Sequence, residues 1–244
     1  MELSEEEISP PAEQRYVAFC DILGFSNRII SDFSGTVRLY NEFAKFIAGA
    51  DYIKADVTIY SDSIIVSSLS LVDVIQAVNA LWFIAQTHFV IIRGGIAYGR
   101  YWQISQDKHM FVVSDALVHA VKIEKSVGFP MVMIADNIDI PLNLWVSRFE
   151  HGPIATPLLH FRDRNIVNPF GIYWFASARG RILTLMEQSP GHEEKYQWLL
   201  ALHEAIANQH DLVPWGVVER LIKMGVISRR TEFPSEDGEA SNPS

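Results

Sequence analysis

With a single cysteine, Cys20, among its 244 residues, the chain can form no intrachain disulfide and no cysteine-rich zinc site. A lone thiol fits a reducing compartment. Basic residues are also in short supply: 20 Lys and Arg stand against 29 Asp and Glu, for a net charge of −9. That balance argues against nucleic-acid binding by bulk electrostatics, but leaves nucleotide binding through metal ions open. Long apolar runs are missing. The most apolar window, Leu71 to Ile92, is broken by Asp73, Gln76, Asn79, Gln86 and His88. It fits an amphipathic helix followed by a buried strand, not a membrane span. Met1 to Glu7 is acidic and leads into no apolar stretch, so no signal peptide is expected and a cytoplasmic protein without a membrane partner is the default. No internal repeat is visible.

Hydrophobic residues make up 49% of the chain and charged residues 20%, enough for a substantial core in one or two domains. Residues 1–14, with Glu5-Glu6-Glu7 and Pro10-Pro11, read as a flexible tail, and residues 231–244 as a disordered end. Between them the hydrophobic period alternates. Strands are expected at 15–22, 57–60, 64–66, 90–99 and 131–134, and helices at 26–33, 36–49, 71–88 and 114–126, with a loop near 103–109. Strands and helices mixed in this order imply an α+β sandwich, one sheet with helices packed on one face. Residues 141–230 read as a largely helical extension packed on it. A hairpin is expected there from Leu158–Phe161 and Ile172–Ala176, with helices near 180–189, 193–209 and 213–225.

The informative stretch is Tyr16-Val17-Ala18-Phe19-Cys20-Asp21-Ile22-Leu23-Gly24-Phe25-Ser26. A buried-strand pattern ends in one carboxylate, Asp21. A Gly24 turn follows, and Phe25-Ser26 opens a helical period. The carboxylate offers oxygen to a hard cation, and the turn offers free N–H groups to phosphate oxygens. Asp62 is a second carboxylate, at the tip of the hairpin made by Val57–Tyr60 and Ile64–Val66. If that hairpin lies beside the first strand, the two aspartates meet at one sheet edge and could share two divalent cations. Mg²⁺ or Mn²⁺ suits such oxygen ligands better than zinc does. Without a metal, Asp21 would be a helix cap and Asp62 a turn residue. Ser26 would be an N-cap, Arg93 the partner of a salt bridge within the sheet, and Cys20 core.

Four segments resemble the catalytic domain of class III nucleotidyl cyclases over roughly residues 15–136. Asp21-Ile22-Leu23-Gly24-Phe25-Ser26 is similar to that family's D-I-x-G-F-[ST] metal motif. Ser61-Asp62-Ser63 stands where the family has Gly-Asp. Ile92-Arg93-Gly94-Gly95-Ile96-Ala97-Tyr98-Gly99 is similar to its [IV]-R-x-G-I-x-x-G strand, and Leu117 to Glu124 to its V-N-x-A-x-R-[LM]-E helix. The resemblance implies a ferredoxin-like cyclase sandwich over 15–140, acting as a head-to-tail homodimer with active sites at the interface. It implies that Asp21 and Asp62 bridge two Mn²⁺ or Mg²⁺ ions, with the Ile22 carbonyl as a further ligand. The amides of Leu23, Gly24, Phe25 and Ser26 would hold the outer phosphates, and Arg93 would be a triphosphate or interface contact.

Departures from the family pattern bear on the substrate. The family's charged base-reading positions fall at Thr58 and near Phe111, neither of which carries charge. Tyr60, beside the metal turn, could stack on a base or simply pack. The transition-state asparagine and arginine fall at Val118 and Lys122; lysine keeps the charge but loses the bidentate fork. The combination is similar to the short pyrimidine cyclases of bacterial Pycsar anti-phage systems. That resemblance implies conversion of UTP to 3′,5′-cyclic UMP and pyrophosphate, with the cyclic nucleotide activating a separately encoded effector. CTP, a purine triphosphate, or a silent cyclase-like module that only binds nucleotide or dimerises are the alternatives.

Overall fold

A computed structural model describes residues 12–106, 109–152, 154–171, 174–188, 191–208 and 212–228. Strand β1 (Glu13–Ile22) is the centre of the N-terminal half. It runs antiparallel to β3 (Ser63–Ser68) on one side and to β4 (Ile92–Gln106) on the other. Helices α1 (Phe25–Ser31) and α2 (Phe33–Gly49) lead to β2 (Asp56–Tyr60), which forms the hairpin with β3; α3 (Leu71–Thr87) then leads to β4. Short polar side chains set the helix starts: Asp32 caps α2 by accepting from the Gly35 amide at 2.8 Å, and Ser70 caps α3 by accepting from the Asp73 amide.

After β4 come β5 (His109–Ser114), α4 (Asp115–Ser126) and β6 (Val132–Ile134), then α5 (Asn143–His151), β7 (Leu158–Phe161), β8 (Arg164–Val167), α6 (Phe175–Gln188), α7 (Glu193–Ala207) and α8 (Trp215–Lys223). Among the described residues the sheet has eight strands, in the order β2-β3-β1-β4-β6-β8-β7 with β5 paired to β4. The first four strands, in the order β4-β1-β3-β2 with helical crossovers, form the ferredoxin-like arrangement expected. Strand β6 is parallel to β4, and β7–β8 continue the same sheet.

One face of β1 buries Ala18, Cys20 and Ile22 together with Ile64 and Val66 of β3, Ile92 and Ile96 of β4, and the apolar side of α3 around Ile75, Leu81 and Trp82. Each large apolar side chain buried this way stabilises by roughly 1.5–3 kcal/mol. The same cluster runs on through Trp145, Leu158, Ile166, Trp198 and Leu202, so the C-terminal block shares the core of the N-terminal half through these residues.

The helices do not all lie on one face. Helix α4 covers the opposite side, where Val17, Tyr101 and Ala116 form a small separate cluster. Gly95 explains how it fits: a Cβ there would lie 2.5 Å from Ile123 Cβ and 2.7 Å from the Ala120 carbonyl oxygen. A glycine strand position lets the helix come close, and the expectation of a sheet covered on one side missed this.

The C-terminal hairpin also differs from the expected one. Its second strand is Arg164–Val167, not Ile172–Ala176; Phe175 and Ala176 are helical, and Ile172 lies outside the described residues. Its turn, Arg162-Asp163, has φ of 51° and 59°, the double left-handed geometry of a tight hairpin, without the Asn-Gly signature that would announce it. The expected loop near 103–109 is instead the β4–β5 hairpin, its tip at 107–108 outside the described residues. Of the expected tails, residues 1–11 and 231–244 lie outside the described residues, while Glu13 and Gln14 already belong to β1. Among the described residues no helix is long and apolar enough to cross a membrane.

Candidate functional site

The end of β1 and the tip of the β2–β3 hairpin do meet. The Ile22 amide donates to the Asp62 carbonyl at 3.0 Å, tying the two aspartate-bearing segments together. Ser61, at φ 55°, makes the sharp turn that Asp62 follows. Asp21 is the register partner of Ser63 on β3 and of Arg93 on β4, and Ser63 that of Tyr60 on β2. Register partners share a sheet face, so Tyr60, Ser63, Asp21 and Arg93 form one row on the α4 side. Thr58 lies in the next row on that face, with Ile65, Phe19 and Gly95.

Arg93 organises the row. Its Nε donates to Asp21 Oδ2 at 3.0 Å, and its Nη2 lies 3.0 Å from the same oxygen. Nη2 is also 2.9 Å from Glu124 Oε1 on α4, an ion pair whose alignment falls short of a hydrogen bond. Glu124 is buried. Burial pushes both the Asp21 and Glu124 carboxyls above their ordinary range; Arg93 pulls each of them back, and the Asp62 charge raises each further. Burial and the Asp62 charge together push the Tyr40 hydroxyl up to about 12.

The phosphate turn is partly as expected. Gly24 adopts φ 74° and is the N-cap of α1, a left-handed conformation that glycine reaches without strain. Ser26 therefore sits in the first helical turn and is not the cap. Leu23 is a correction: its amide donates to the Ile91 carbonyl at 2.9 Å and so is not free for a phosphate. First-turn amides such as those of Phe25 and Ser26 have no partner inside the helix. Phe25 packs in the core, while Ser26 is exposed.

Two expected residues fall away from this corner within one subunit. Thr58 aligns through Ile65 and Phe19 with Gly95 on β4, whereas Phe111 pairs with Ile104, nine residues farther along that strand (104 − 95). At ~3.3 Å per residue that is about 30 Å, too far for both to touch one base. Lys122 and Val118 lie one turn apart on the exposed side of α4.

Among the described residues no group of three or more His, Cys, Asp or Glu side chains is placed to hold a metal ion. Asp21 and Asp62 are close enough for their charges to interact, and oxygen donors of this kind suit Mg²⁺ or Mn²⁺ with water completing the shell. Asp21 Oδ2 is engaged by Arg93, which leaves Oδ1 as its open oxygen.

Two residues near the corner had been given no role from sequence. Glu124 ends the motif segment Leu117 to Glu124, and its place in that motif was the available signal; the structure buries it. Lys195, on α7, favours the ionised form of Asp21; nothing local in the sequence ties it to the site.

No family model matches the chain, and no curated protein sequence matches it. Solved structures do. The catalytic core of a rhodopsin-guanylyl cyclase with converted specificity, in complex with ATPαS, aligns at 17% identity over 52% of this chain and 82% of that one, with a TM-score of 0.41. The adenylyl cyclase CyaB from P. aeruginosa aligns at 14% identity over 65% of this chain and 95% of its own, TM-score 0.42. The guanylate cyclase domain of RhGC from Catenaria anguillulae, in complex with GTP, aligns at 16% identity over 64% and 96%, TM-score 0.41. At such identities no residue role transfers from these structures to this chain.

Proposed function

We propose that the chain is a nucleotidyl cyclase that converts UTP to 3′,5′-cyclic UMP and pyrophosphate, and that the cyclic product activates a separate effector in anti-phage defence. The observation that carries the reading is the union of the Asp21 strand end with the Asp62 turn through the Ile22–Asp62 backbone hydrogen bond at 3.0 Å. The four cyclase-like motif segments supply the reaction class, and the uncharged Thr58 supplies the preference for a pyrimidine.

In this reading Asp21, Asp62 and the Ile22 carbonyl would hold two Mg²⁺ or Mn²⁺ ions. When bound, such a pair lowers the pKa of the attacking hydroxyl and neutralises the leaving phosphates. The protein's own groups do the rest. Arg93 fixes the orientation of Asp21 through Oδ2. The amides of Gly24, Phe25 and Ser26 face the β- and γ-phosphates. Tyr60, 80% exposed at the end of the row, stacks on the base beside Thr58. The ribose 3′-hydroxyl gives up its proton to water, its oxygen bonds to the α-phosphorus in line, and the bond from that phosphorus to the bridging oxygen of the β-phosphate breaks, releasing pyrophosphate. Lys122 would disperse the developing charge from across a homodimer interface, where Phe111 would line the partner's base pocket. Exposed Ile104, Met110, Phe111 and Val113 of the β4–β5 ribbon and Val118 of α4 supply apolar surface for that contact.

Purified protein incubated with Mn²⁺ and each of the four NTPs, with products identified by mass spectrometry, tests the proposal. Cyclic UMP is the expected product. Cyclic CMP or a cyclic purine nucleotide would reassign the substrate. No pyrophosphate release from any NTP by folded protein would leave a silent nucleotide-binding or dimerisation module.

A further inference from the structure

Beside the Gly24 turn lies a cleft of about 530 Å³, within the ~300–1,000 Å³ typical of small-molecule sites. One wall is the turn itself and Arg28 of α1; the facing wall comes from the C-terminal block, with Gln188, His192, Lys195 and Tyr196. Three basic side chains line it, Arg28, His192 and Lys195, and no Asp or Glu is among the described lining residues. In a chain with 29 acidic and 20 Lys or Arg residues, an all-basic cleft is not what composition alone would deliver. Glu193 and Glu194 precede Lys195 but are exposed and do not line it.

The cations in the cleft are not already in use. Arg28 Nε is buried without a hydrogen-bond partner, and Arg28 Nη1 makes only a 3.4 Å contact with the His88 carbonyl. Among the described residues Arg28 Nη2 has no hydrogen bond or ion pair, so the guanidinium keeps donor capacity for an anion in the cleft. Lys195 forms no ion pair among the described residues.

We propose that this cleft binds the outer phosphates of the nucleoside triphosphate, and the pyrophosphate left after cyclisation, through Arg28, His192 and Lys195 of the same subunit. The proposal rests on the cyclase reading above and gives the C-terminal block a direct part in substrate binding. Arg28 offers a planar fork to two phosphate oxygens, Lys195 a mobile point charge, and His192 an N–H donor. Charge that builds on the pyrophosphate as its bond to the α-phosphorus breaks is stabilised by the same groups.

The test is calorimetric titration of the full chain with inorganic tripolyphosphate in metal-free buffer, together with steady-state kinetics. Lys195 is half-buried and His192 exposed, so Lys195→Gln and His192→Gln leave the core intact; circular dichroism checks this. Each is expected to weaken tripolyphosphate binding roughly tenfold, the cost of one charge-assisted contact, to raise KM for the NTP more than it lowers kcat, and to relieve inhibition by pyrophosphate. Lys195→Arg is expected to retain most binding, and Lys223→Gln, on exposed α8, all of it. Wild-type affinity in Lys195→Gln, or an equal loss in Lys223→Gln, overturns the proposal. If the wild type binds tripolyphosphate through Lys195 but cyclises no NTP, the cyclase reading falls and the anion site stands. If cyclisation proceeds and Lys195→Gln changes neither KM nor pyrophosphate inhibition, the reverse holds.

Discussion

Arg93 and Asp21 are register partners on adjacent strands, and their side chains meet at 3.0 Å. The same guanidinium reaches buried Glu124 on α4, so one arginine joins the central strands to the helix behind them. Removing it leaves a buried carboxylate without its counter-charge. Arg93→Ala is expected to destabilise the protein by about 3 kcal/mol, the lower end for a broken buried pair because Arg93 keeps some solvent contact. Arg93→Ala combined with Glu124→Gln should recover part of that loss. Thermal melts of the wild type and of both variants measure it; equal melting temperatures for wild type and Arg93→Ala would show that the pair contributes nothing.

Asp62→Ala separates chemistry from folding. The backbone carbonyl of Asp62, not its side chain, accepts from Ile22, so the turn survives the substitution. Turnover is expected to fall by at least ~10²-fold with an unchanged circular dichroism spectrum. Retained activity would put the metal corner elsewhere.

Gly95→Ala tests how closely α4 lies on β4. The added Cβ would fall 2.5 Å from Ile123 Cβ and 2.7 Å from a backbone oxygen, whereas a Cβ at Gly128 meets nothing within 4 Å. Gly95→Ala is expected to cost about 1–3 kcal/mol in urea denaturation, and Gly128→Ala to stay within ~0.5 kcal/mol.

Burial raises the Cys20 thiol from its ordinary 9.0 to about 12, and burial with the Asp62 charge raises the Tyr40 hydroxyl from 10.0 to about 12. Both groups hold their protons more tightly folded than unfolded. Their contribution is thus fully present below pH 9 and is lost as pH rises from about 9 through about 12. Denaturation midpoints should fall across that window. Cys20→Ser and Tyr40→Phe should each flatten the fall, and an unaltered slope in both would rule these groups out. At pH 8 the folded thiol should not react with a disulfide reagent, while the unfolded chain should.

Local patterns carried most of the fold into the sequence. The β-branched runs around Ser61-Asp62-Ser63 marked a hairpin, and the apolar stripe from Leu71 to Ala85 marked α3. Helix α5 went unseen because Asn143–His151 is short and carries only a brief apolar stripe. The β7–β8 turn went unseen because Arg162 and Asp163 take left-handed angles that their side chains do not advertise. At the corner, the meeting of the Asp21 strand end with the Asp62 turn was legible from the strand and hairpin patterns, and the Arg93 salt bridge within the sheet was one of the readings open for that residue. The commitment of the Leu23 amide to Ile91 was not, since it depends on a strand some 70 residues later in the chain (91 − 23). The cleft residues His192 and Lys195 were hidden for the same reason: no periodicity records which distant helix closes over a turn.

The stitching between the two halves of the chain bears on how the protein is made. Arg181 stacks 4.2 Å over Trp174 and 4.6 Å over Phe89, and donates to the Gln86 carbonyl at 2.6 Å, across 95 residues. Gln86 also donates to the Pro169 carbonyl, and β6 finds an antiparallel neighbour in β8. These contacts form only after long loops have closed, which slows folding. On the ribosome, α3 and β6 would emerge well before the segments that cover them. The nascent chain would spend that interval with apolar surface and a short strand edge uncovered, the state in which chaperones bind and aggregation competes.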